Sequence, residues 1–314
     1  MNKPNDNRQV VESWAAMSED AKKRRIAKAI QKNDMVELRS LLESYTLMFT
    51  KSRTDTSPCT LSAYWRGAVR LLDWCKANGC KIHKIGSEEI LRFIASMGNL
   101  SAKSRQLHMT GCRTLIKALR WVGMDNGNPF VMENGISITI RDPKPIYGKA
   151  DPYNEDEVSQ LLSSANERER CLILLGIDGG LRVAEMCDLK WDGIDIEHNI
   201  LNFMGKWSKP AKVLATPRLM EAILDMPTSD SERVFGVGRR RLQQIFTKCC
   251  KDAGVRPRGL HNLRHTCGTR VARNTKDPFV VKRHLRHNSI VGSELYVHLA
   301  DDDYRQGIES LNLA

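Results

Sequence analysis

Residues 260–296 read LHNLRHTCGTRVARNTKDPFVVKRHLRHNSIVGSELY. From Gly238 onward the pattern is helical, broken at Gly254–Gly259 and at Asn274–Pro278. That reading puts His261 and Arg264 on one helix face, at i and i+3. His287 follows a basic helix, and Tyr296 comes nine residues later on the next one. His261 and His265 have the i, i+4 spacing of a zinc-binding helix. However, Asn262 stands where HExxH needs its Glu, and Arg264 between the two rings opposes a dication. The stretch therefore argues against a zinc protease and leaves a set of cations, imidazoles and one tyrosine.

Upstream, the same kind of residue recurs. GGLRVAE, residues 179–185, places Arg182 after a Gly-Gly turn at the start of a short amphipathic piece. Residues 200–216 alternate and are interrupted at Gly205-Lys206, the pattern of a β-hairpin with a lysine in its turn. Asn154-Glu155-Asp156-Glu157 is an N-cap with acids in the first turn, and helix is expected from there to about Asp178. Before it, residues 123–150 are rich in glycine and carry Pro129, Pro143 and Pro145. They read as an interdomain linker, with a short strand at 136–140.

Further toward the N-terminus the chain is helical. Ser57-Pro58 opens a helix that closes near Gly79, Ser87-Glu88-Glu89 opens a second that ends before Gly98, and a third runs from about Ser101 to Gly123. Lys103, Arg105, Arg113, Lys117 and Arg120 give this third helix basic faces. Residues 1–50 also read as helical, with Lys22-Lys23-Arg24-Arg25 ahead of an apolar series. An accessory DNA-binding arm and a packing extension are both open there.

Charge is distributed unevenly. The 314 residues carry a net charge of +12. Residues 51–145 hold 15 Lys/Arg against 7 Asp/Glu, and residues 233–286 hold 15 against 2, with Arg239-Arg240-Arg241 as one run. Residues 146–232 are acidic, with 9 basic against 16 acidic groups. Two positive regions separated by a negative one suit a protein that grips a polyanion, although a solvated basic face without a partner would look the same. The 41% hydrophobic content is that of a globular protein long enough for two domains. No apolar run is long enough for a transmembrane helix, and the N-terminal residues lack the apolar core of a secretory signal. Nine scattered cysteines without a CxxC pair fit a reducing cytoplasm and suggest no disulfide framework and no Cys-based zinc site. Neither GxxxxGK[ST] nor GxGxxG is present.

Transfer at a phosphodiester needs an oxygen nucleophile, stabilisation of a phosphorane and an acid for the leaving alkoxide. Guanidiniums grip phosphate oxygens bidentately, and positioned cations can stand in for metal ions. Taken singly, each residue has an ordinary reading: a surface ion pair for Arg182, a capping or packing group for either histidine, an amphipathic core position for Tyr296.

Taken in order, the set resembles the tyrosine site-specific recombinases (the phage-integrase or Xer-type family), over roughly residues 57–314. GLRVAE, Gly-Lys 24 residues after the arginine, HxLRH, and a His nine residues before a Tyr carry the resemblance. It implies a mainly α fold: a helical core-binding (SAM-like) domain over 51–145 with its linker, then a mainly helical catalytic domain over 146–314 with a small antiparallel sheet, the two closing on DNA. It implies Arg182 and Arg264 as phosphate-clamping arginines and Lys206 as the hairpin lysine that protonates the 5′ oxygen. His261 and His287 would bond the phosphate, with His261 a further candidate to accept the proton of the nucleophile Tyr296. Glu185 and His265 match supporting positions. Lys103, Arg105, Arg113, Arg239, Arg240 and Arg241 are further candidates for DNA contact. The expected partner is duplex DNA, bound by a homotetramer on paired sites that is a monomer or dimer off DNA. No metal or other cofactor is expected, no membrane contact, and a cytoplasmic, nucleoid-associated location.

The sequence departs from the family pattern in two places. Arg286 stands where a glycine usually precedes the last histidine, and Trp207, Lys209 and Lys212 follow the hairpin Gly-Lys. A type IB topoisomerase, a non-catalytic DNA-binding protein and a metal-dependent relaxase are the rival readings. The last would need clustered histidine ligands that the sequence does not supply.

Overall fold

The computed structural model describes residues 11–50, 56–124, 127–141, 151–205, 209–227, 230–287, 290, 293 and 296. The chain divides into two compact units, Met1–Lys144 and Pro145–Ala314.

In the first unit, α1 (Glu19–Lys32) and α2 (Met35–Phe49) form a helical pair turned at Asn33, a residue in the left-handed region. Ser18 and Asp34 cap the two helices by accepting from first-turn N–H groups. Arg25 of α1 grips Glu37 of α2 through two bonds of 2.7 and 2.6 Å and lies over the ring of Trp14, while Lys22 lies over Trp121. Half of the basic cluster at 22–25 is thus folded into aromatic packing. Ile26, Leu38, Leu41 and Leu42 are buried in the same core as the helices that follow, so residues 19–49 are an integral layer of this unit.

That core is built on α3 (Pro58–Ala77) and α5 (Ala102–Trp121), with α4 (Ser87–Ser96) between them in sequence. Ser57 with Pro58, and Ser101, start α3 and α5 as their sequences require. The two long helices touch backbone to backbone at two glycines. A Cβ on Gly67 would lie 2.4 Å from the His108 carbonyl oxygen, and one on Gly111 would lie 2.1 Å from that of Tyr64. No larger residue fits at either crossing point.

The segment expected as a linker is packed here as far as residue 141. Phe130 and Ile138 are buried, and the Ile138 N–H donates to the Phe130 carbonyl at 2.8 Å. Gln106 and Arg113 of α5 donate to the carbonyls of Ile140 and Ile138. The strand expected at 136–140 reduces to an isolated bridge between Val131 and Ser137. Residues 142–150 lie outside the described residues.

The second unit begins with α6 (Glu155–Ser164) and α7 (Glu167–Ile177). The sequence pattern predicts one continuous helix here. Instead a second capping box, Asn166 with Glu169, starts a new helix after an extended Ala165. From Cys171 to Ile177 every residue of α7 is buried, and the helix is the axis of this core. After α8 (Val183–Asp188) come β1 (Ile194–Asp195), β2 (Ile200–Met204) and β3 (Pro210–Leu214), an antiparallel sheet in that order. Leu201 pairs with Val213 and Phe203 with Ala211, which turns Leu201, Phe203 and Val213 into the core. The unit closes with α9 (Pro217–Leu224), α10 (Arg239–Asp252), α11 (Leu260–Thr275) and α12 (Pro278–Leu285). Helix α11 lies close on α7 because Gly176 has no side chain: a Cβ there would be 2.5 Å from that of Leu263. Among the described residues no helix is long and apolar enough to cross a membrane.

Candidate active site

Three chain segments of the second unit converge: the turn 178–182 leading into α8, the helix α11, and the turn after α12. The first is anchored by Asp178, whose buried carboxylate accepts two 2.6 Å bonds from Arg218 and one of 2.7 Å from Thr216. Gly180 then turns the chain with φ 57 and delivers Arg182 as the N-cap of α8. Glu185 closes that cap. Its Oε2 accepts the Arg182 N–H at 2.8 Å and its Oε1 accepts the guanidinium at 2.7 Å. Burial pushes the Glu185 carboxyl up, but the guanidiniums of Arg286 and Arg182 and the bonded N–H outweigh it and hold the group below the usual carboxylate range. The Arg182 side chain keeps 31% of its surface exposed, against 4% for Glu185.

Arg264, on α11, is 2% exposed. It donates to the carbonyls of Gly180 and Leu285, bracing the Arg182 turn against the end of α12. Burial, with Arg182 and Arg286 nearby, lowers its pKa to about 10, so it stays cationic at neutral pH. His261, one turn earlier, faces solvent more openly; partial burial and the two arginines lower its pKa. Its ring meets that of His265 edge-on, with centroids 4.7 Å apart.

Tyr296 is 2% exposed, and its ring lies directly over Gly268 of α11, where a Cβ would come within 2.6 Å of it. On the sequence, His261 is the candidate acceptor for this tyrosine. In the structure its hydroxyl oxygen lies 2.9 Å from Nδ1 of His265, one helical turn further along. Burial pushes the Tyr296 hydroxyl up to about 12, only partly opposed by Arg264 and Arg182. His287 also stacks with Tyr296, with ring centroids 6.1 Å apart, and bonds Ser293 at 3.0 Å through Nδ1. Burial brings both His265 and His287 down to about 4, helped by His261 and Arg264 for the first and by Arg264, Arg182 and Arg286 for the second, so both rings are neutral at pH 7.

Five of the six expected catalytic side chains, together with both supporting ones, therefore meet in one cluster. Lys206 lies outside the described residues; its flanks are closed by the Gly205 N–H bonded to the Lys209 carbonyl at 2.8 Å. Gly268, Asp178 and Ser293 join the cluster without having been among the expected site residues. Gly268 alone left a trace, as a glycine in the middle of an otherwise helical pattern.

Arg286 fills its place in an unexpected way. It ends α12 in the left-handed region, φ 54 and ψ 47, which costs a side-chain-bearing residue about 1–2 kcal/mol. Its guanidinium folds inward to the carbonyls of Gly179, Gly180 and His284 and to Glu185, and lies over the ring of Phe203.

The expected DNA contacts divide into two groups. Lys103 is exposed on the first turn of α5, and Arg239, Arg240 and Arg241 are exposed on the first turn of α10. Arg105 is half-buried, and Arg113 is engaged with the Ile138 carbonyl and the Phe130 ring, which makes it a packing group. Among the described residues no cluster of His, Cys, Asp or Glu could hold a metal ion.

Residues 153–303, nearly the whole second unit, match the model of the Phage integrase family. The tyrosine recombinase XerC of Xanthomonas campestris pv. campestris (strain B100) is 25% identical over 267 residues, covering 78% of this chain and 80% of that protein. XerC of Pseudomonas fluorescens is 26% identical over 270 residues, covering 79% and 88%. The chain belongs to the tyrosine site-specific recombinases. The recombinase is thus an enzyme of site-specific DNA recombination, one that cuts and rejoins DNA strands. Its fold is also that of solved members. XerH bound to palindromic difH substrate, in a post-cleavage complex, superposes with a TM-score of 0.65 at 16% identity, covering 96% of this chain and 93% of that one. A lambda integrase dimer bound to a COC′ core site gives 0.61 at 16% identity, covering 82% and 76%.

Proposed function

We propose that this recombinase cleaves duplex DNA by attack of the Tyr296 hydroxyl oxygen on a scissile phosphate. The P–O5′ bond breaks, leaving a 3′-phosphotyrosine and a free 5′ hydroxyl. A 5′ hydroxyl from a partner duplex then attacks the phosphotyrosine, reforming a diester and releasing Tyr296, with a Holliday junction between the two rounds of exchange. The covalent bond conserves the energy of the diester, so ATP is not required.

The observation that carries this reading is the company Tyr296 keeps: Arg182, Arg264, His265 and His287 all act on it or touch it. In the proposal, Arg182 and Arg264 stabilise the phosphorane, and His261 and His287 donate to its oxygens. The neutral Nδ1 of His265 takes the tyrosine proton, and Lys206 delivers a proton to the 5′ oxygen.

The proposal extends to a homotetramer assembled on paired sites, monomeric or dimeric off DNA, and to a nucleoid-associated location in the cytoplasm. Its biological setting is DNA integration, excision or resolution. The XerH and lambda integrase structures, each bound to a DNA site, support DNA as the partner.

A nicked suicide substrate tests the central step. Wild-type protein should accumulate an adduct that survives SDS, while Tyr296→Phe should bind the same DNA and form none. An adduct in the mutant would place the nucleophile elsewhere.

A further inference from the structure

Three guanidiniums, Arg182, Arg264 and Arg286, surround a single carboxylate, Glu185, in the cluster around Tyr296. Arg264 is occupied by two main-chain carbonyls. Glu185 is shared: Oε1 takes Arg182, and Oε2 takes both the Arg182 N–H and the Nη2 of Arg286, at 3.0 Å. The two arginines differ in where they face. The Arg182 side chain is 31% exposed and that of Arg286 13%, so Arg182 can meet a phosphate while Arg286 is turned into the protein.

With only Arg182 against it, Glu185 would cancel that cation's charge in a site shielded from water, where such cancellation is strongly felt. A second cation on the same carboxylate leaves the trio with a net positive charge, displayed at Arg182. The conformation points the same way. A residue with a side chain is held at φ 54, where glycine would sit without strain, because its guanidinium is bonded to the carbonyls of Gly179 at 3.3 Å, Gly180 at 2.9 Å and His284 at 2.9 Å. Those bonds tie the turn that presents Arg182 to the turn that presents His287. Its Cζ also lies 5.0 Å from the ring of Phe203 in β2, the strand that leads toward Lys206.

We propose that Arg286 is a positioning residue, an internal counter-cation for Glu185 that keeps the charge of Arg182 available to the scissile phosphate and locks the Arg182 and His287 turns together. It touches no DNA. The proposal rests on the reading of Tyr296 and Arg182 given above, and its test separates the two.

Covalent adduct formation on the nicked substrate is followed under single-turnover conditions, with DNA affinity measured in parallel. Arg286→Gly removes the cation and relieves the backbone. Its cleavage rate should fall roughly 10²-fold, the scale of a misplaced active-site group, while its DNA affinity stays close to wild type. Arg286→Lys, which keeps the charge without the fork, should recover part of the rate. Glu185 loses its strongest stabilising charge in Arg286→Gly and its pKa rises, so the rate of this variant relative to wild type should recover as falling pH protonates the carboxylate. The double variant Arg286→Gly with Glu185→Gln should cleave faster than Arg286→Gly alone, since the uncompensated carboxylate is gone. A purely structural role for Arg286 would produce neither the rescue nor the relative recovery at low pH. An Arg286→Gly variant that cleaves at the wild-type rate, one whose loss matches a loss of DNA affinity, or a double variant without rescue would each overturn the proposal. Absence of an adduct in the wild-type protein would instead overturn the reading of Tyr296.

Discussion

The hydroxyl oxygen of Tyr296 and Nδ1 of His265 lie 2.9 Å apart, in a layer where Tyr296 is 2% exposed. A tyrosine buried this way, with its pKa pushed up to about 12, needs a base beside it before it can attack phosphorus. His265, brought down to about 4 by burial, His261 and Arg264, has a free lone pair at neutral pH. His265→Ala should therefore slow adduct formation roughly 10²–10⁴-fold, the range for a lost general base, with DNA binding retained. Single-turnover cleavage at pH 7 is the measurement, and an undiminished rate would return the role to His261.

The same burial sets a dependence of stability on pH. His265 and His287 titrate near 6.5 in the unfolded chain and near 4 in the folded one. Folding thus releases protons within this window, so the two rings disfavour the native state increasingly as pH falls from about 6.5 to about 4. Above pH 6.5 both rings are neutral in either state and the penalty vanishes. Thermal midpoints recorded from pH 7 to pH 4 should fall, and they should fall less in His287→Gln. Equal slopes in the two proteins would mean that His287 stays accessible to protons in the native state.

Gly268 is predicted to be as sensitive as a charged residue of the site. Any Cβ at 268 would come within 2.6 Å of Tyr296 Cε1 and 2.7 Å of Cζ, and the ring must move away from His265 to admit it. Gly268→Ala should lower cleavage on the order of 10²-fold, as expected for a displaced nucleophile, although alanine is the better helix former. The adduct assay with Gly268→Ala checks this. A fully active variant would mean that Tyr296 attacks from a position far from α11.

How much of this arrangement could be read in the sequence depended on the range of the interactions involved. His261, Arg264 and His265 lie on one helix, so their spacing alone put them on related faces. Ser57-Pro58, Ser101 and Asn154 marked helix starts because a cap is a local interaction. The break at Asn166 was just as local, but the apolar pattern running through it hid the second capping box. What could not be read was contact across the chain. The bond from Arg113 to the carbonyl of Ile138 turns part of a glycine-rich linker into core, and no local pattern announces it. Nor does any local pattern show that Arg286 reaches back about a hundred positions to Glu185.

Gly67 and Gly111 make a prediction about the first unit. Each removes a side chain where α3 and α5 touch, and the gaps of 2.4 and 2.1 Å face backbone atoms, which cannot rotate away. Gly111→Ala should force the helices apart and destabilise the unit by at least roughly 1–3 kcal/mol, the usual cost of overpacking, outweighing the gain in helix propensity. Denaturant unfolding followed by the fluorescence of Trp65, Trp74 and Trp121 would report it. A variant as stable as wild type would mean that the crossing is looser than the structure shows.

Arg239, Arg240 and Arg241 open α10 with three exposed cations at the positive end of a helix, behind a Gly238 that offers no capping side chain. Each works against the helix dipole by about 0.3–1 kcal/mol at low salt. A protein that keeps three such charges there gains from them in some other way, and a phosphate backbone is the partner that would reverse the sign. Amide groups at the helix start would add to the attraction. If all three arginines meet phosphates, replacing them with glutamine should reduce the slope of log affinity against log salt by roughly 0.9 for each phosphate no longer neutralised. At the same time the free protein should become slightly more stable, because the unfavourable charges at the helix start are gone. Affinities for one recombination site, titrated over a range of salt concentrations, together with a thermal melt of the free triple variant, measure both effects. An unchanged slope would exclude these arginines from the DNA interface. A changed slope with a less stable free protein would show that they also hold the fold.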